Sequence, residues 1–417
     1  MDYRWLTTEA ATKWLELAAA ADEPTLKLAE RLRKELPAER VHLVLEQVDL
    51  RRRGAEKFSL AGQMFFTAKG LEQATDEWVA AYKCDRFAAG ASPALADLCC
   101  GIGGDLLALA GRGPIVGVDR DPVTAVFAEA NVAAWRAAGR ATDRVDLRTG
   151  EVGQFDASEV TAWHLDPDRR PAGRRTTRVI AHDPPPEVIE RLLSACPNGA
   201  IKLAPAAELP DGWASRAELE WISRGRECRQ LVAWFGELAE KHGQRKATIV
   251  DSWSVARAAW REMELARPHA SRTTHHAPRS VSGEADVSIP IAPRLGRFMF
   301  EPDAAVLAAK LTGPLAAEHG LAAITPGIAY LTGDVPLDDA ALACFEVLDR
   351  LPLRIETIKS WLEDRGIGRL EIKKRGVDTD PEWLRRQLLV AGDNTATLIV
   401  TRIDGRRAVI AARRVSR

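Results

Sequence analysis

Apolar residues recur at helical spacing along the first part of the chain, three and four positions apart. The predicted helices are 8–20, 25–36 and 38–48. A further helix, 76–87, follows Thr75, which can act as its N-cap, and the acidic residues of its first turn suit the helix dipole. These patterns predict a helical N-terminal domain over residues 1–90.

After residue 90 the pattern changes to short apolar runs that alternate with helical segments. The predicted strands are 94–100, 114–118, 144–148, 160–165, 199–204, 218–223 and 229–235, and the predicted helices between them are 104–111, 122–137 and 185–196. The last two strands have only a short connection, which favours an antiparallel hairpin at the sheet edge. The alternation predicts an α/β fold, a Rossmann-like seven-stranded domain over residues 91–245.

The rest of the chain divides into a connecting region and a small final unit. Residues 246–345 give an irregular pattern with some helix and strand. Residues 346–417 have the order α-β-α-β-β, and an Asp-Gly pair at Asp404 and Gly405 predicts a tight turn between the last two strands. We therefore expect a small C-terminal α/β domain.

Composition narrows the class of protein without assigning a function. The chain has 417 residues, 46% of them hydrophobic, and a formal net charge of -1, which predicts two or three domains and no overall affinity for polyanions. Its six cysteines lack the CxxC spacing, which is typical of a reduced, cytoplasmic protein. No run approaches the roughly 18 apolar residues of a membrane-spanning helix, and no signal peptide is evident at the N-terminus.

A glycine-rich turn after the first predicted strand is the most specific feature. Gly101, Gly103 and Gly104 let the backbone turn sharply and come close to a ligand. The second strand ends at Asp119, about twenty residues after the first, where a carboxylate of a Rossmann-like unit can accept hydrogen bonds from ribose hydroxyls. The turn therefore predicts a nucleoside-type ligand at the end of a parallel sheet.

Two ligands fit this turn, a dinucleotide and S-adenosylmethionine. The dinucleotide pattern G-x-G-x-x-G needs a third glycine, and this chain has Leu107 at that spacing. Asp97, just before the turn, suits an amino group or a sulfonium charge and would repel a pyrophosphate. The details favour S-adenosylmethionine.

Two segments compete for the end of the fourth strand, where the transferred methyl group is expected. One contains Asp166 and Pro167, and the other contains Asp183 followed by three prolines. Asp166 follows the third strand at the proper distance, whereas the prolines after Asp183 are typical of a helix start. We therefore expect Asp166 to orient the methyl acceptor. Five arginines from Arg169 to Arg178 then form a basic loop at the mouth of the site, suited to phosphate.

The strings D-L-C-C-G-I-G-G-D, G-V-D-R-D-P and D-P-D-R-R resemble the class I S-adenosylmethionine-dependent methyltransferases, specifically a bacterial group with a THUMP-like C-terminal domain. The strings G-L-E-Q-A-T, I-K-L-A-P and L-E-I-K-K-R-G-V are similar to segments of that group, so the resemblance covers nearly the whole chain. The expected cofactor contacts are Thr75, Asp97, Cys99, Gly101, Gly103, Gly104, Asp119, Arg120 and Glu151, and the expected catalytic residues are Asp166, Pro167 and Arg169.

The resemblance does not extend to a known substrate. Trimethylguanosine synthases have a P-P-W segment whose aromatic ring stacks on the base, whereas this chain has Asp168 and Arg169 there. D-P-D-R-R is nearer to the D-P-P-R segment of RNA uracil methyltransferases, but no cysteine nucleophile follows it. Neither substrate is carried over.

RNA is the expected substrate and partner. Basic residues are locally in surplus, which by itself fits a solvated surface as well as an RNA-binding face. Residues 351–417 hold 15 Lys plus Arg against 9 Asp plus Glu, a surplus of 6. The expected RNA contacts are Arg169, Arg170, Arg174, Arg175, Lys373, Lys374 and Arg375. Two alternatives stay open: a methyltransferase of a protein or small molecule, and a non-catalytic RNA-binding protein with a degenerate methyltransferase core. No metal is expected, since His269, His275 and His276 lack partners at ligand spacing.

Overall fold

The computed structural model describes residues 2–90, 94–140, 144–169, 176–250 and 278–415. The chain divides into two compact units. The first unit comprises Met1–Gly225, Gln230–Gln244 and Val250–Pro278, and the second comprises Arg226–Arg229, Arg245–Ile249 and Arg279–Arg417. Among the described residues, no helix is long and apolar enough to cross a membrane.

Six helices open the first unit: α1 Tyr3–Leu6, α2 Glu9–Ala19, α3 Thr25–Leu32, α4 Ala38–Gly54, α5 Ala68–Gln73 and α6 Glu77–Cys84. The N-cap of α6 is Asp76, whose carboxylate accepts from the backbone N–H of Val79 at 3.0 Å. Thr75, the cap expected from the sequence, is buried, and its hydroxyl donates to Asp105 instead. Sequence cannot separate two adjacent capping residues, because either can adopt the extended conformation that an N-cap needs.

The strands that lie wholly or mostly in the first unit are β1 Leu95–Leu98, β2 Ile115–Asp119, β3 Val145–Thr149, β4 Ala162–Leu165, β5 Gly199–Leu203, β6 Glu218–Arg224 and β7 Glu227–Trp234. Their order in the sheet is β3-β2-β1-β4-β5-β7-β6. The first five are parallel, and β7 runs antiparallel to β5. The helices that follow α6 are α7 Leu106–Leu109, α8 Pro122–Ala137, α9 Pro186–Ala195 and α10 Trp213–Arg216. The five parallel strands and the antiparallel β7 confirm the predicted Rossmann-like α/β fold. Over the described residues the sheet has nine strands, so the hairpin of β6 and β7 does not form its edge as the sequence predicts.

The strand order reverses at β1, which lies between β2 and β4. Leu98 is in register with Val118 on one side and with Leu165 on the other, so three strands end at the same level. In open parallel sheets, ligands bind in the crevice beyond the carboxyl ends of the strands at such a switch point. The fold therefore places the glycine-rich turn at a preferred binding position.

The N-terminal helices and the sheet share one hydrophobic core. Phe66, Val79, Leu106 and Trp234 belong to the same cluster of buried side chains. The ring of Phe127 on α8 contacts Phe65, with ring centroids 5.9 Å apart. The helices predicted over residues 1–90 are present, and they bury their apolar faces against the sheet domain as well as against one another.

The second unit contains a seven-stranded sheet with the order β11-β12-β10-β13-β16-β15-β14. Its strands are β10 Phe298–Pro302, β11 Ala322–Ala323, β12 Leu331–Gly333, β13 Leu342–Pro352, β14 Ile367–Lys374, β15 Asn394–Ile403 and β16 Arg406–Arg414. β8 Arg245–Ile249 and β9 Arg279–Gly283 pair with each other. The helices of this unit are α11 Ala304–Ala308, α12 Thr312–His319, α13 Ile355–Glu363 and α14 Pro381–Gln387.

The predicted order α-β-α-β-β of the C-terminal unit is present, but a further strand precedes it. β13 pairs with β10 on one side and β16 on the other, so it is central to the sheet. The register between β13 and β16 shifts between Val347 and Asp349, so the residues before and after the shift do not follow one continuous alternation of buried and exposed positions. That irregularity interrupts the alternation by which a strand is recognised in a sequence.

Candidate functional site

A cavity of about 630 Å³ opens at the carboxyl ends of β1, β2 and β4, next to the segment after β3. Helix α5 and the residues around it provide another wall, with Lys69, Gln73 and Thr75. All lining residues belong to the first unit. Sequence-predicted cofactor residues that line it are Thr75, Asp97, Cys99, Gly101, Gly104, Asp119, Arg120 and Glu151.

The turn after β1 has the backbone that its glycines permit. Gly101 has φ +55° and Gly103 has φ +94°, in the region that favours glycine. A Cβ on Gly104 would lie 2.9 Å from the carbonyl oxygen of Thr75, so only glycine allows this approach. A Cβ on Gly101 would meet no protein atom within 4 Å. Space next to the Gly101 backbone is what a closely approaching ligand requires.

Asp119 connects the end of β2 to this turn. Its carboxylate accepts from the backbone N–H of Gly101 at 2.8 Å, from the N–H of Asp121 at 2.9 Å and from the Thr124 hydroxyl at 3.1 Å. A carboxylate has about four acceptor positions. The geometry fixes the carboxylate and leaves capacity for a ligand hydroxyl. Glu151, which follows β3, is exposed and lines the same cavity.

A group of buried polar side chains lies under the turn. Asp97 Oδ1 is 2.7 Å from His164 Nδ1, and His164 Nε2 is 3.2 Å from Lys83 Nζ. Lys83 forms an ion pair with Asp105 at 2.6 Å, and the Thr75 hydroxyl also donates to Asp105 at 2.6 Å. Thr75 therefore lies beside the glycine-rich turn, where its hydroxyl bonds to Asp105 and does not cap helix α6.

Burial and charge set the protonation of these groups. Burial raises the pKa of Asp97. Burial also favours the protonated form of Asp105, but the adjacent positive charge of Lys83 outweighs it, so the pKa of Asp105 is lowered. Burial lowers the pKa of Lys83. Asp105 is therefore the ionised partner of Lys83.

The cavity fits a cationic nucleoside ligand. Asp97 Oδ2 is buried and has no hydrogen-bond partner among the described residues. An unsatisfied buried carboxylate oxygen is costly, and the ammonium group of S-adenosylmethionine would satisfy it. Acidic residues dominate the lining: Asp97, Asp105, Asp119, Asp121, Glu151, Asp166, Asp168 and Asp183, against Lys69, Arg120 and Arg169. This charge balance disfavours a pyrophosphate.

Asp166 lies directly after β4, and its carboxylate faces Lys202 on β5. Lys202 Nζ donates to Asp166 Oδ2 at 2.6 Å and to the Gln73 carbonyl at 2.8 Å. Lys202 is only 6% exposed. The sequence interpretation missed it, although a lysine inside the apolar run of a buried strand was an available signal.

A backbone hydrogen bond joins the ends of β4 and β1 at the cavity, where the N–H of Asp166 donates to the carbonyl of Leu98 at 3.2 Å. The two segments that compete in the sequence also lie side by side there. The N–H of Asp168 donates to the carbonyl of Asp183 at 2.7 Å, and the N–H of Asp183 donates back at 3.0 Å. Arg120 donates to the Asp183 carboxylate, and Asp183 lines the cavity.

The prolines after Asp183 do start α9, at Pro186. Asp183 is nevertheless part of the site, because the chain returns to the end of β4 before that helix begins.

The remaining predicted residues fall in three places. Pro167 and Arg169 line the cavity. Arg170, Arg174 and Arg175 lie outside the described residues, as do His269, His275 and His276. In the second unit, Lys373 forms an ion pair with Glu301 at 2.7 Å, Lys374 is exposed, and the Arg375 guanidinium lies over the ring of Tyr330 at 5.1 Å.

No cysteine of the cavity wall is an activated nucleophile. Cys99 and Cys100 line the cavity, and burial raises the pKa of both thiols well above its usual value. A thiol with a raised pKa stays protonated and is a poor nucleophile. Glu318, His319 and Asp339 lie close together in the second unit, but Arg279 already bonds to both carboxylates.

Two family models match parts of this chain. The model described as THUMP domain-like matches residues 342–414, and a domain of unknown function (DUF8688) matches residues 1–54. The first match begins with β13, the strand that the sequence pattern did not reveal. It confirms the expected THUMP-like character of the C-terminal unit.

The chain is also similar to named proteins over most of its length. Two proteins of Mycobacterium tuberculosis, from the strains CDC 1551 and H37Rv, are 29% identical to it over 376 residues, which is 88% of this chain and 94% of each relative. Each is named an uncharacterized S-adenosylmethionine-dependent methyltransferase. A crystal structure of a "putative methyltransferase" from Porphyromonas gingivalis W83 superimposes with a TM-score of 0.73 at 20% identity and covers 98% of both chains. That likeness shows a shared fold.

Proposed function

We propose that this chain, a class I S-adenosylmethionine-dependent methyltransferase with a THUMP-like C-terminal domain, transfers the methyl group to RNA. The observation that carries the proposal is the shared cavity. Asp97 and Asp119, which suit the cofactor, line the same space as Asp166, which suits the acceptor. The cofactor and an acceptor group can therefore meet there.

The residues that would hold the cofactor follow the ends of the first three strands. Asp97 and the Gly101 backbone would face its methionine part, Asp119 its ribose hydroxyls and Glu151 its adenine amino group. When bound, S-adenosylmethionine supplies an electrophilic methyl group on a positively charged sulfur. The acidic lining favours a ligand with that charge.

Asp166 would orient the acceptor. Its carboxylate is fixed by Lys202 at 2.6 Å, so it can accept a hydrogen bond from an N–H or O–H of the acceptor without moving. Methyl transfer needs an in-line approach to the sulfonium carbon, and fixed positioning of this kind is the protein's main contribution. Burial raises the pKa of the Cys99 and Cys100 thiols, so the proposed reaction assigns them no covalent step.

The charge distribution favours binding of the RNA base and of the RNA phosphates by different residues. The eight carboxylates of the cavity would repel phosphates, so the cavity suits an uncharged base rather than the RNA backbone. Phosphates need basic residues elsewhere, and the THUMP-like unit has exposed ones at Lys374, Arg406 and Arg407. We infer that the base enters the cavity while basic side chains hold the backbone.

Labelled methyl transfer tests the proposal. The full chain is incubated with methyl-labelled S-adenosylmethionine and with separate RNA, protein and small-molecule fractions. We expect label in RNA, and we expect Asp166→Asn to lower turnover by about tenfold or more, with cofactor affinity nearly unchanged, because the group acts on the acceptor. Asp146→Asn, on the exposed part of β3, is the matched control. Label in the protein or small-molecule fraction would instead support the corresponding alternative acceptor.

A further inference from the structure

A chain of polar contacts runs through the interior of the first unit from α6 to the cavity wall. Lys83 Nζ lies 2.6 Å from Asp105 Oδ1 and 3.2 Å from His164 Nε2, and His164 Nδ1 lies 2.7 Å from Asp97 Oδ1. The side chains of Lys83, His164 and Asp97 are each at most 2% exposed, and that of Asp105 is 8% exposed. We call these four residues the buried relay. Asp97 and Asp105 are its members that line the cavity.

The contacts assign the protons of the buried relay. A lysine ammonium has donors only, so His164 Nε2 accepts from Lys83 and the ring proton is on Nδ1. Nδ1–H then donates to Asp97 Oδ1. The charges of Lys83 and Asp105 cancel and His164 is neutral in this arrangement. The net charge of the buried relay therefore depends on Asp97, the member that faces the glycine-rich turn: it is zero when Asp97 is protonated and -1 when Asp97 is ionised.

The second oxygen of Asp97 is the open end of the buried relay. Oδ2 is buried and has no hydrogen-bond partner among the described residues. Burying a carboxylate oxygen without a donor is costly, and a positively charged donor removes that cost most effectively. A cationic group of a ligand in the cavity would complete both the hydrogen bonding and the charge balance.

We propose that Lys83, Asp105 and His164 are positioning residues that hold Asp97 with one oxygen available to the cofactor's ammonium group, and that, at a pH where ligand-free Asp97 is protonated, binding of this group releases that proton to solvent. This inference rests on the proposed cofactor site. It does not depend on which molecule accepts the methyl group.

Electrostatics gives the direction of the proton transfer. In the ligand-free protein, burial raises the pKa of Asp97, which favours uptake of a proton. A bound ammonium group stabilises the carboxylate and lowers that pKa again, so the proton leaves as the ligand binds. Affinity should therefore rise with pH, and it should become constant above the pKa of ligand-free Asp97.

The groups that face Asp97 come from neighbouring elements. His164 on β4 and Lys83 on α6 favour its ionised form, and Asp105 before α7 opposes it. Lys202 on β5 and Asp166 after β4 act on the Lys83 end of the buried relay. Among these groups, His164 alone donates a hydrogen bond to Asp97, so its replacement is the most direct test.

Calorimetry on the unmodified full chain measures how many protons are released when the ligand binds. S-adenosylhomocysteine, which keeps the ammonium group, is titrated in buffers of different ionisation enthalpy from mildly acidic to mildly alkaline pH. We expect release of up to one proton per ligand at acidic pH, with affinity rising by up to tenfold per pH unit. Methylthioadenosine lacks the ammonium group and should show neither effect. A binding enthalpy of S-adenosylhomocysteine that is the same in all buffers would overturn the proposal.

The variant His164→Asn separates positioning from general damage. We expect its affinity for S-adenosylhomocysteine to fall by about ten- to hundredfold, while its affinity for methylthioadenosine is unchanged. His319→Asn is the matched control, because His319 also bonds to a carboxylate, Asp339, at 2.7 Å but lies in the second unit. An equal loss for both ligands would contradict the positioning role. Since no step uses RNA, absence of RNA labelling would refute the proposed acceptor and leave this inference intact.

Discussion

The cavity of the first unit and the C-terminal sheet of the second unit are both rich in charge, but they use it differently. Around the cavity, charged side chains such as Lys83 and Asp97 are buried and form a connected network. On the sheet, Arg413 pairs with Glu346, and Arg414 pairs with Glu371 at 2.8 Å, with the arginine side chains 66% and 41% exposed. The buried network has an unsatisfied oxygen, whereas the exposed pairs satisfy each other.

The basic surplus of residues 351–417 is partly neutralised by carboxylates that lie outside this segment. Two of the carboxylates that pair with its basic residues, Glu301 and Glu346, precede residue 351 and so are absent from the count of that segment. Glu301 on β10 forms an ion pair with Lys373 on β14 at 2.7 Å, and Glu346 is on β13, which pairs directly with β16. Local composition therefore overstates the positive charge available to RNA, and the exposed Lys374, Arg406 and Arg407 are the stronger candidates.

The largest expected effect is on the free energy of unfolding when a paired lysine is replaced by methionine in each of the two regions. Lys83→Met leaves Asp105 buried without its charged partner and should lower the free energy of unfolding by about 3–5 kcal/mol. Lys373→Met removes a pair with Glu301 in which the lysine side chain is 22% exposed, and it should cost about 1 kcal/mol or less. Urea unfolding of the two variants measures both values. Equal losses would mean that burial does not distinguish the two regions.

The next effect concerns the cofactor end of the cavity. Asp119→Ala should weaken binding of S-adenosylhomocysteine by about ten- to hundredfold, because a charge-assisted hydrogen bond contributes about 1.5–3 kcal/mol. It also removes the acceptor of the Gly101 N–H, so the turn loses its connection to β2. Calorimetry measures the affinity. Asp146→Ala, which removes an exposed contact with Arg148, should bind as the unmodified protein does. Unchanged binding by Asp119→Ala would contradict the site.

The smallest expected effect tests the exposed basic residues. The double variant Arg406→Glu and Arg407→Glu should weaken RNA binding by roughly tenfold at low salt and reduce the salt dependence by about one unit of slope per residue. Filter binding over a series of salt concentrations measures both. Arg413→Glu with Arg414→Glu is the matched control, since those arginines are already paired with carboxylates. An equal reduction in both double variants would argue against separate roles for the two pairs.

Truncation is a poor alternative to these substitutions. The sequence pattern places the start of the C-terminal unit near residue 346. Deleting residues 351–417, the segment with the basic surplus, would therefore be the obvious truncation. The structure shows that β13 runs from Leu342 to Pro352, between β10 and β16. Removing residues 351–417 would cut this strand and expose the edge of the remaining sheet.

Much of the fold follows from local patterns. The helix predicted at 122–137 is present at Pro122–Ala137, and the Asp121 side chain caps its start. The turn at Asp404 and Gly405 has the positive φ values of a tight hairpin. β13 was missed because its register shift breaks the alternation. Periodicity is a local property, so it reveals regular elements and loses irregular ones.

The sequence by itself determined β1, the glycine-rich turn that follows it and the position of Asp119 at the end of β2. Each of these depends on neighbouring residues and on the backbone conformation that they allow. Only the tertiary structure decided that Lys83 meets His164, 81 residues away, and that Lys202 meets Asp166, 36 residues away. It also placed Asp183 beside Asp168. Such contacts depend on which strands become neighbours and on how side chains pack between them, and local periodicity carries no information about either.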